Sequence, residues 1–257
     1  MHTHSEGQEQ DTENVIGIIG TGDLGSSVGM SLAKLGYQIV YGSRDPSSKR
    51  VKQVVRMTGH GARATSYKDA AQQGDIVFLA VPWPAMEQIA RTLGDLTGKI
   101  LADGSFPFRQ ATDGYMESMV ETSSAELIQN WNPHAIVLKW SLPGSNWIDE
   151  PSTEEEGGRI AVWIAGNDRA PKEKLARLTD RMGLEPFDAG PLRLSRELDA
   201  QAILYMVPFV QGRKETWELI VRRSDFFASQ MSDSDEPWFR PVYDAGNLAE
   251  FPGDASA

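Results

Sequence analysis

The chain is 257 residues long, 40% of them hydrophobic, with a formal net charge of −11 at pH 7. That size and apolar content allow one large or two small domains with a real core. The acidic balance argues against nucleic acid or an anionic membrane as partner. The lack of cysteine excludes disulfides, iron–sulfur clusters and thiol catalysis.

Residues 1–14 are polar and acidic and read as a disordered tail, not a signal peptide. No apolar stretch approaches the ~20 residues of a membrane span, so a cytoplasmic protein is expected. Val15 to Ile19 is a short apolar run suited to a buried strand. Gly20, Gly22 and Gly25 then form G-x-G-x-x-G, and Leu24, Val28, Leu32 and Leu35 recur at helical spacing. Gly36 closes that helix, and Gln38 to Tyr41 reads as a second strand. Strand, glycine turn, helix and strand make a βαβ unit. Its glycines allow a tight turn, close approach of a pyrophosphate, and close packing of helix on sheet. The amides of the helix start face the anion, which makes Gly20, Thr21, Gly22, Asp23, Leu24 and Gly25 the candidate cofactor cradle.

The end of the second strand chooses between dinucleotides. An Asp or Glu there, about 20 residues past the glycines, bonds the ribose 2′-hydroxyl of NAD. This chain has Gly42-Ser43-Arg44 instead, and a hydroxyl with a guanidinium suits a 2′-phosphate. Lys49 and Arg50 add charge one turn on, while Asp45 could still face the ribose. NADP(H) is the expected cofactor.

Further along, Ser47 to Met57 reads as a helix and Ala62 to Thr65 as a short strand. Ser66, with Asp69 three residues on, is an N-cap for a helix through Gln73. Asp75 to Val81 is a near-continuous apolar run, as a central parallel strand requires. Val81, Pro82 and Trp83 follow at its carboxyl end, where α/β sheets bind ligands; Trp83 is either a cofactor wall or core. Met86, Ile89, Ala90 and Leu93 mark a helix, and Lys99 to Ala102 a strand ending in Asp103-Gly104-Ser105. The pattern weakens over 106–122, which reads as an ordered loop. Ser123 to Trp131 is helical and Ala135 to Trp140 a strand, followed by a loop at Ser141–Trp147. An acidic turn at Glu154–Gly158 precedes a strand at Arg159–Ala165, a helix at Pro171–Met182 and a short strand at Glu185–Asp188. Ser195 to Val207 is a helix that Pro208 interrupts, and 209–228 suits one more. Residues 229–257 are an acidic tail without periodicity. The expected fold is a Rossmann-type doubly wound parallel sheet with a small C-terminal α/β extension over the cleft. It divides into a dinucleotide domain at 15–140 and an acceptor-side part at 141–228.

The pieces I-G-I-I-G-T-G-D-L-G (16–25), Y-G-S-R (41–44), V-P-W (81–83), G-N-D (166–168) and D-A-G-P-L (188–192), followed by S-R (195–196), carry a resemblance. The chain resembles the NADPH:F420 oxidoreductases, or F420-dependent NADP reductases. It is also similar to the cytosolic NADPH-binding domain of the STEAP-type metalloreductases. The likeness covers roughly residues 15–208. It implies a Rossmann domain carrying NADP(H), with Thr21, Ser43 and Arg44 around the phosphates. The hydride partner it implies is deazaflavin F420 or a flavin. Ser141, Leu142, Pro143, Asn146, Gly190, Pro191 and Leu192 would line the acceptor side. The sequence departs from the family at D-P-S-S-K (45–49), in the loop K-W-S-L-P-G (139–144), and in the residues beyond the match.

Hydride transfer to a deazaflavin needs ring stacking more than acid–base help. His60 and His134 are the only histidines beyond the tail and lack partners at ligand spacing, so no metal site is expected. Reduction of a small imine or ketone would also need a proton donor, for which Lys139, Tyr115 and Tyr205 stand only by position. A third reading is a non-catalytic NADP(H)-binding redox sensor or partner subunit. In it, Trp217, Phe226, Phe227, Trp238 and Phe239 dock on another chain; their alternative uses are closing the cleft or a homodimer contact.

Overall fold

A computed structural model describes residues 15–142, 144, 146–149 and 159–213. Eight strands form one sheet. In chain order they are β1 (Val15–Ile19), β2 (Gln38–Gly42), β3 (Arg63–Thr65), β4 (Ile76–Leu79), β5 (Ile100–Asp103), β8 (Ile136–Ser141), β9 (Ala161–Ala165) and β10 (Glu185–Gly190). A separate hairpin pairs β6 (Phe108–Gln110) with β7 (Met116–Ser118). The spatial order is β10-β9-β8-β5-β4-β1-β2-β3. All neighbours run parallel except β8 and β9. From β1 the chain moves outward to β2 and β3, then returns to add β4, β5 and β8 on the other side. The point where the order reverses lies between β1 and β4, where an open α/β sheet binds its ligand.

The central strands β1, β4, β5 and β8 are buried on both faces, and their alternation separates two cores. On one face Ile16, Ile18, Phe78, Leu138 and Trp140 pack against α1 (Asp23–Lys34), α2 (Lys49–Thr58) and α7 (Arg169–Arg181). On the other, Ile19, Val77, Leu79, Leu101 and Val137 meet α3 (Tyr67–Gln73), α4 (Trp83–Ala90) and α5 (Ser124–Trp131). The short α6 (Asn146–Asp149) lies against α1, where Ser27 donates to Asp149 at 2.8 Å. α8 (Ser195–Tyr205) and α9 (Val207–Val210) close the described chain.

Several boundaries differ from expectation for local reasons. Ser48, Ser66 and Ser123 cap their helices with side-chain oxygens accepting from amides three residues on, so α2 begins at Lys49. The 106–122 segment holds the β6–β7 hairpin, closed by Ala111–Gly114 with Ala111 N donating to Tyr115 O. α7 begins at Arg169, two residues before Pro171, and proline is tolerated in that first turn. β10 continues past Asp188 to Gly190. The helix expected at Ser195–Val207 ends at Tyr205, and Pro208 sits in the first turn of α9. Residues 1–14, the turn at 154–158 and everything past 213 lie outside the described residues.

Candidate functional site

The glycine turn is built as the dinucleotide geometry demands. Gly20 has φ +116°, and a Cβ there would lie 2.3 Å from Ala80 O. A Cβ on Gly25 would lie 2.4 Å from Gly20 O, so α1 sits directly on the turn. Gly22 is different: a Cβ there meets nothing within 4 Å. The space above it is open, and Gly22 is the N-cap of α1 with no side chain capping the first amides. Uncapped helix amides beside open space suit a pyrophosphate.

Register brings the other candidates alongside. Ile19 is level with Gly42 of β2 and with Leu79 of β4, and Leu79 with Asp103 of β5. Gly20 N donates to Gly42 O at 3.0 Å, which sets Ser43 and Arg44 beside the glycine turn. Arg44 is exposed and holds no hydrogen bond or ion pair with another described residue. Asp45 is engaged elsewhere. Its Oδ1 accepts from Ser47 N at 3.0 Å and Ser47 Oγ at 2.7 Å, and these bonds hold its carboxyl below the usual range. Lys49, exposed, is the first residue of α2. Val81 flanks Gly20 at the end of β4, and Pro82 is exposed as the N-cap of α4. At the end of β5, Gly104 approaches Leu24 so closely that a Cβ would come within 2.8 Å of Leu24 Cδ2. The turns after β1, β2, β4 and β5 therefore converge on one crevice.

Other candidates are placed differently. The Trp83 ring stacks on Trp131 of α5, centroids 5.8 Å apart, and Arg91 covers Trp131 at 5.7 Å. This packs Trp83 into the α4–α5 layer. Ser141 is the last residue of β8 and not part of a loop; it lines a narrow seam with Phe106, Trp163, Gln201 and Tyr205. Leu142 and Leu192 are both 4% exposed, in the cores of opposite faces of the sheet. Gly190 and Leu192 serve as structural links: Gly166 N donates to Gly190 O, and Leu192 N to Asn167 Oδ1. The Asp188 carboxylate bonds Lys172 Nζ at 2.6 Å and Gly190 N at 2.7 Å. Pro191 is exposed beside them. Pro143 and the Asn146 side chain lie outside the described residues. A cavity of about 520 Å³, lined by Arg91, Trp131 and His134, opens where the chain enters β5 and β8. It is at the opposite end of the sheet from the crevice.

Lys139 departs most from its sequence reading. It is fully buried on β8, in register with Asp103 of β5. Its ammonium contacts Asp199 Oδ1 at 2.7 Å, Asp103 Oδ2 at 3.3 Å, Ser124 Oγ at 2.9 Å and the Ser105 carbonyl. With its donors engaged and no exposed surface, it is no proton donor to a substrate. Burial pushes the Asp199 carboxyl above the usual carboxylate range; Lys139 opposes that shift and Asp103 adds to it. The signal that marks this centre is a lysine within the apolar alternation of a central strand.

Residues 15–106 match the sequence profile of the family described as NADP oxidoreductase, coenzyme F420-dependent. The chain is 28% identical over 197 residues to an F420-dependent NADP reductase of Methanocaldococcus jannaschii, covering 70% of this chain and 85% of that one. It is 27% identical over 185 residues to metalloreductase STEAP3 of Rattus norvegicus, covering 72% of this chain. The chain spans only 36% of that relative's length. A solved structure described as a putative F420-dependent NADP reductase from an Arthrobacter species superposes with TM-score 0.70 at 23% identity. It covers 82% of this chain and 100% of its own. An imine reductase from Myxococcus stipitatus, solved with NADP+, shares the fold at TM-score 0.57 and 16% identity, over 77% of this chain and 63% of its own.

Proposed function

We propose, on the premise that residues 15–106 belong to the coenzyme F420-dependent NADP oxidoreductase family, that the chain is an NADP(H)-dependent oxidoreductase. It moves a hydride between NADPH and a deazaflavin or flavin-like acceptor. The observation that carries this reading is the pairing of an open glycine cradle at Gly22 with an uncommitted guanidinium at Arg44. The amides at the start of α1 would hold the pyrophosphate. Ser43 and Arg44 would hold the 2′-phosphate, with Lys49 adding charge. The bound cofactor supplies the hydride. The chain's own residues bind it, orient it across the ends of β1, β4 and β5, and wall the crevice with Val81, Pro82 and Gly104. Positioning of this kind provides most of the acceleration when two rings stack for hydride transfer.

The engagement of Asp45 by Ser47 supports NADP(H) over NAD(H), because its carboxylate is already satisfied. No helix among the described residues is long and apolar enough to cross a membrane, in keeping with a cytoplasmic enzyme acting on small molecules. The test is NADPH oxidation followed by absorbance with F420, FMN, FAD and cyclic imines in turn. Turnover with F420 or a flavin supports the reading. Turnover with imines alone replaces it by a pathway-specific imine reductase. Tight NADPH binding with no turnover on any acceptor favours a redox sensor.

A further inference from the structure

The Lys139 centre joins four elements around a single cation. Lys139 comes from β8, Asp103 from β5, Ser124 from the start of α5 and Asp199 from α8. Lys139, Asp103 and Ser124 are fully buried, and Asp199 is 5% exposed. The centre holds one ammonium and two carboxylates. The other charges on the elements around Asp199 are directed elsewhere: Glu126 of α5 pairs with Arg196 of α8, and Glu117 of β7 pairs with Arg109. Arg193 and Glu197 are exposed. Among the described residues, Lys139 is the only cation that contacts either carboxylate.

The two carboxylates are not equivalent. Asp103 accepts from Ser105 N at 2.9 Å, Ser105 Oγ at 2.6 Å, Ser124 Oγ and Lys139 Nζ. Asp199 accepts from Ser124 N at 2.8 Å and Lys139 Nζ at 2.7 Å. Asp103 thus has the richer donor set, while the Ser124 hydroxyl reaches Asp199 only at 3.4 Å. A second full charge on Asp199 would leave the enclosure with an uncompensated anion, which burial opposes. Asp103 also ends β5, in register with the last residue of β4 and, through it, of β1. That is two strand spacings, ~10 Å, from the dinucleotide turn.

We propose that the Lys139 centre stores one exchangeable proton, carried on Asp199 while the bound cofactor is NADPH and released when it is NADP+. This rests on the assignment of the crevice to NADP(H). Hydride donation leaves a positive charge on the cofactor, and a net negative centre at the end of β5 compensates it. The bookkeeping closes for a neutral acceptor. The acceptor takes the hydride with its electron pair and one proton. The Asp199 O–H bond breaks and its proton passes to water, from which the acceptor draws one; water restores the proton when fresh NADPH replaces NADP+. Asp199 meets the centre through Lys139 of β8, one strand beyond Asp103; with one unit charge in the crevice, ~10–15 Å away at an effective dielectric near 20, the coupling is on the order of tenfold in relative cofactor affinity.

The test is the dissociation constant of each nucleotide from pH 5 to 9. It is paired with calorimetry in buffers of differing ionisation enthalpy, which counts protons released on binding. The 2′-phosphate titrates in both nucleotides, so its contribution cancels in their difference. In the unaltered chain, Kd for NADP+ relative to NADPH should fall on the order of tenfold as pH rises. NADP+ binding should release more protons than NADPH binding, by up to about half a proton per site at tenfold coupling. Asp199→Asn should flatten the ratio and equalise the proton counts. The calorimetric difference on the unaltered chain needs no variant, so a poorly folding Asp199→Asn leaves the test intact. Binding of both nucleotides with a pH-independent ratio and equal proton counts overturns the store alone. Binding of neither nucleotide overturns the cofactor reading, and the store falls with it.

Discussion

Three glycines one turn apart carry unlike burdens. Gly22 has an ordinary φ of −77° and empty space where a Cβ would point. Gly22→Val should therefore fold with near-native stability yet lose NADPH binding, as paired thermal melts and nucleotide titrations would show. Gly25→Ala should do the reverse in part, lowering stability by about 1–3 kcal/mol as its methyl meets the Gly20 carbonyl. Arg44→Ala should weaken NADPH on the order of 10- to 100-fold and leave NADH nearly unchanged. Equal losses for the two cofactors would remove Arg44 from the 2′-phosphate. The Gly20 turn and the end of β2 at Gly42 were legible in the sequence because local spacing alone fixes them. Lys139 was not. Its burial depends on Asp103 and Asp199, far away in the chain, and nothing near residue 139 announces them. Lys139→Met should cost about 3–5 kcal/mol, because it leaves two carboxylates enclosed together.

At the level of elements, the start of α3 at Ser66 was read correctly, while α2 and α7 begin two residues from where they were expected. Ser66 and Ser123 cap α3 and α5 from their own side chains, with Asp69 and Glu126 reaching back to the capping hydroxyls. Such local hydrogen bonds need no tertiary context. The β6–β7 hairpin escaped because its strands have three residues each and carry Arg109, Gln110 and Glu117 outward. Asp113-Gly114 at its turn was the one available hairpin signal. The antiparallel approach of β9 to β8 has no local signature at all. Where α1 crosses β2, contact depends on Gly29: a Cβ there would fall 1.9 Å from Tyr41 Oη. Tyr41 is fully buried and bonded to Thr58 Oγ1 of α2 at 2.8 Å, and burial lifts its hydroxyl pKa to about 12. Gly29→Ala should push α1 and α2 off the sheet together and lower the melting temperature by several degrees.

Over the whole molecule, Asp199 ties α8 to the sheet and so makes global stability depend on pH. Its carboxyl titrates higher in the folded chain than in the unfolded one. The folded state thus binds the proton more tightly. The stabilisation is complete below the unfolded value near 3.8 and is lost as pH rises through the higher folded value. Denaturant melts from pH 4 upward should show this decline, and Asp199→Asn should remove it. Glu126 acts oppositely: Arg196 and Ser123 hold its carboxyl below the usual range. Its smaller, partly solvent-screened contribution is present above the unfolded value and lost as pH falls through the folded one.

The Trp83–Trp131 stack has an optical consequence. Two indoles 5.8 Å apart and inclined by 27° act as coupled oscillators, so light absorbed by one is shared with the other. Circular dichroism should show an exciton couplet that vanishes in Trp131→Leu while the helical bands remain. Trp83 directly follows Pro82, so nucleotide arriving at the end of β4 should perturb that couplet. The native chain would then report occupancy of the crevice without an added label.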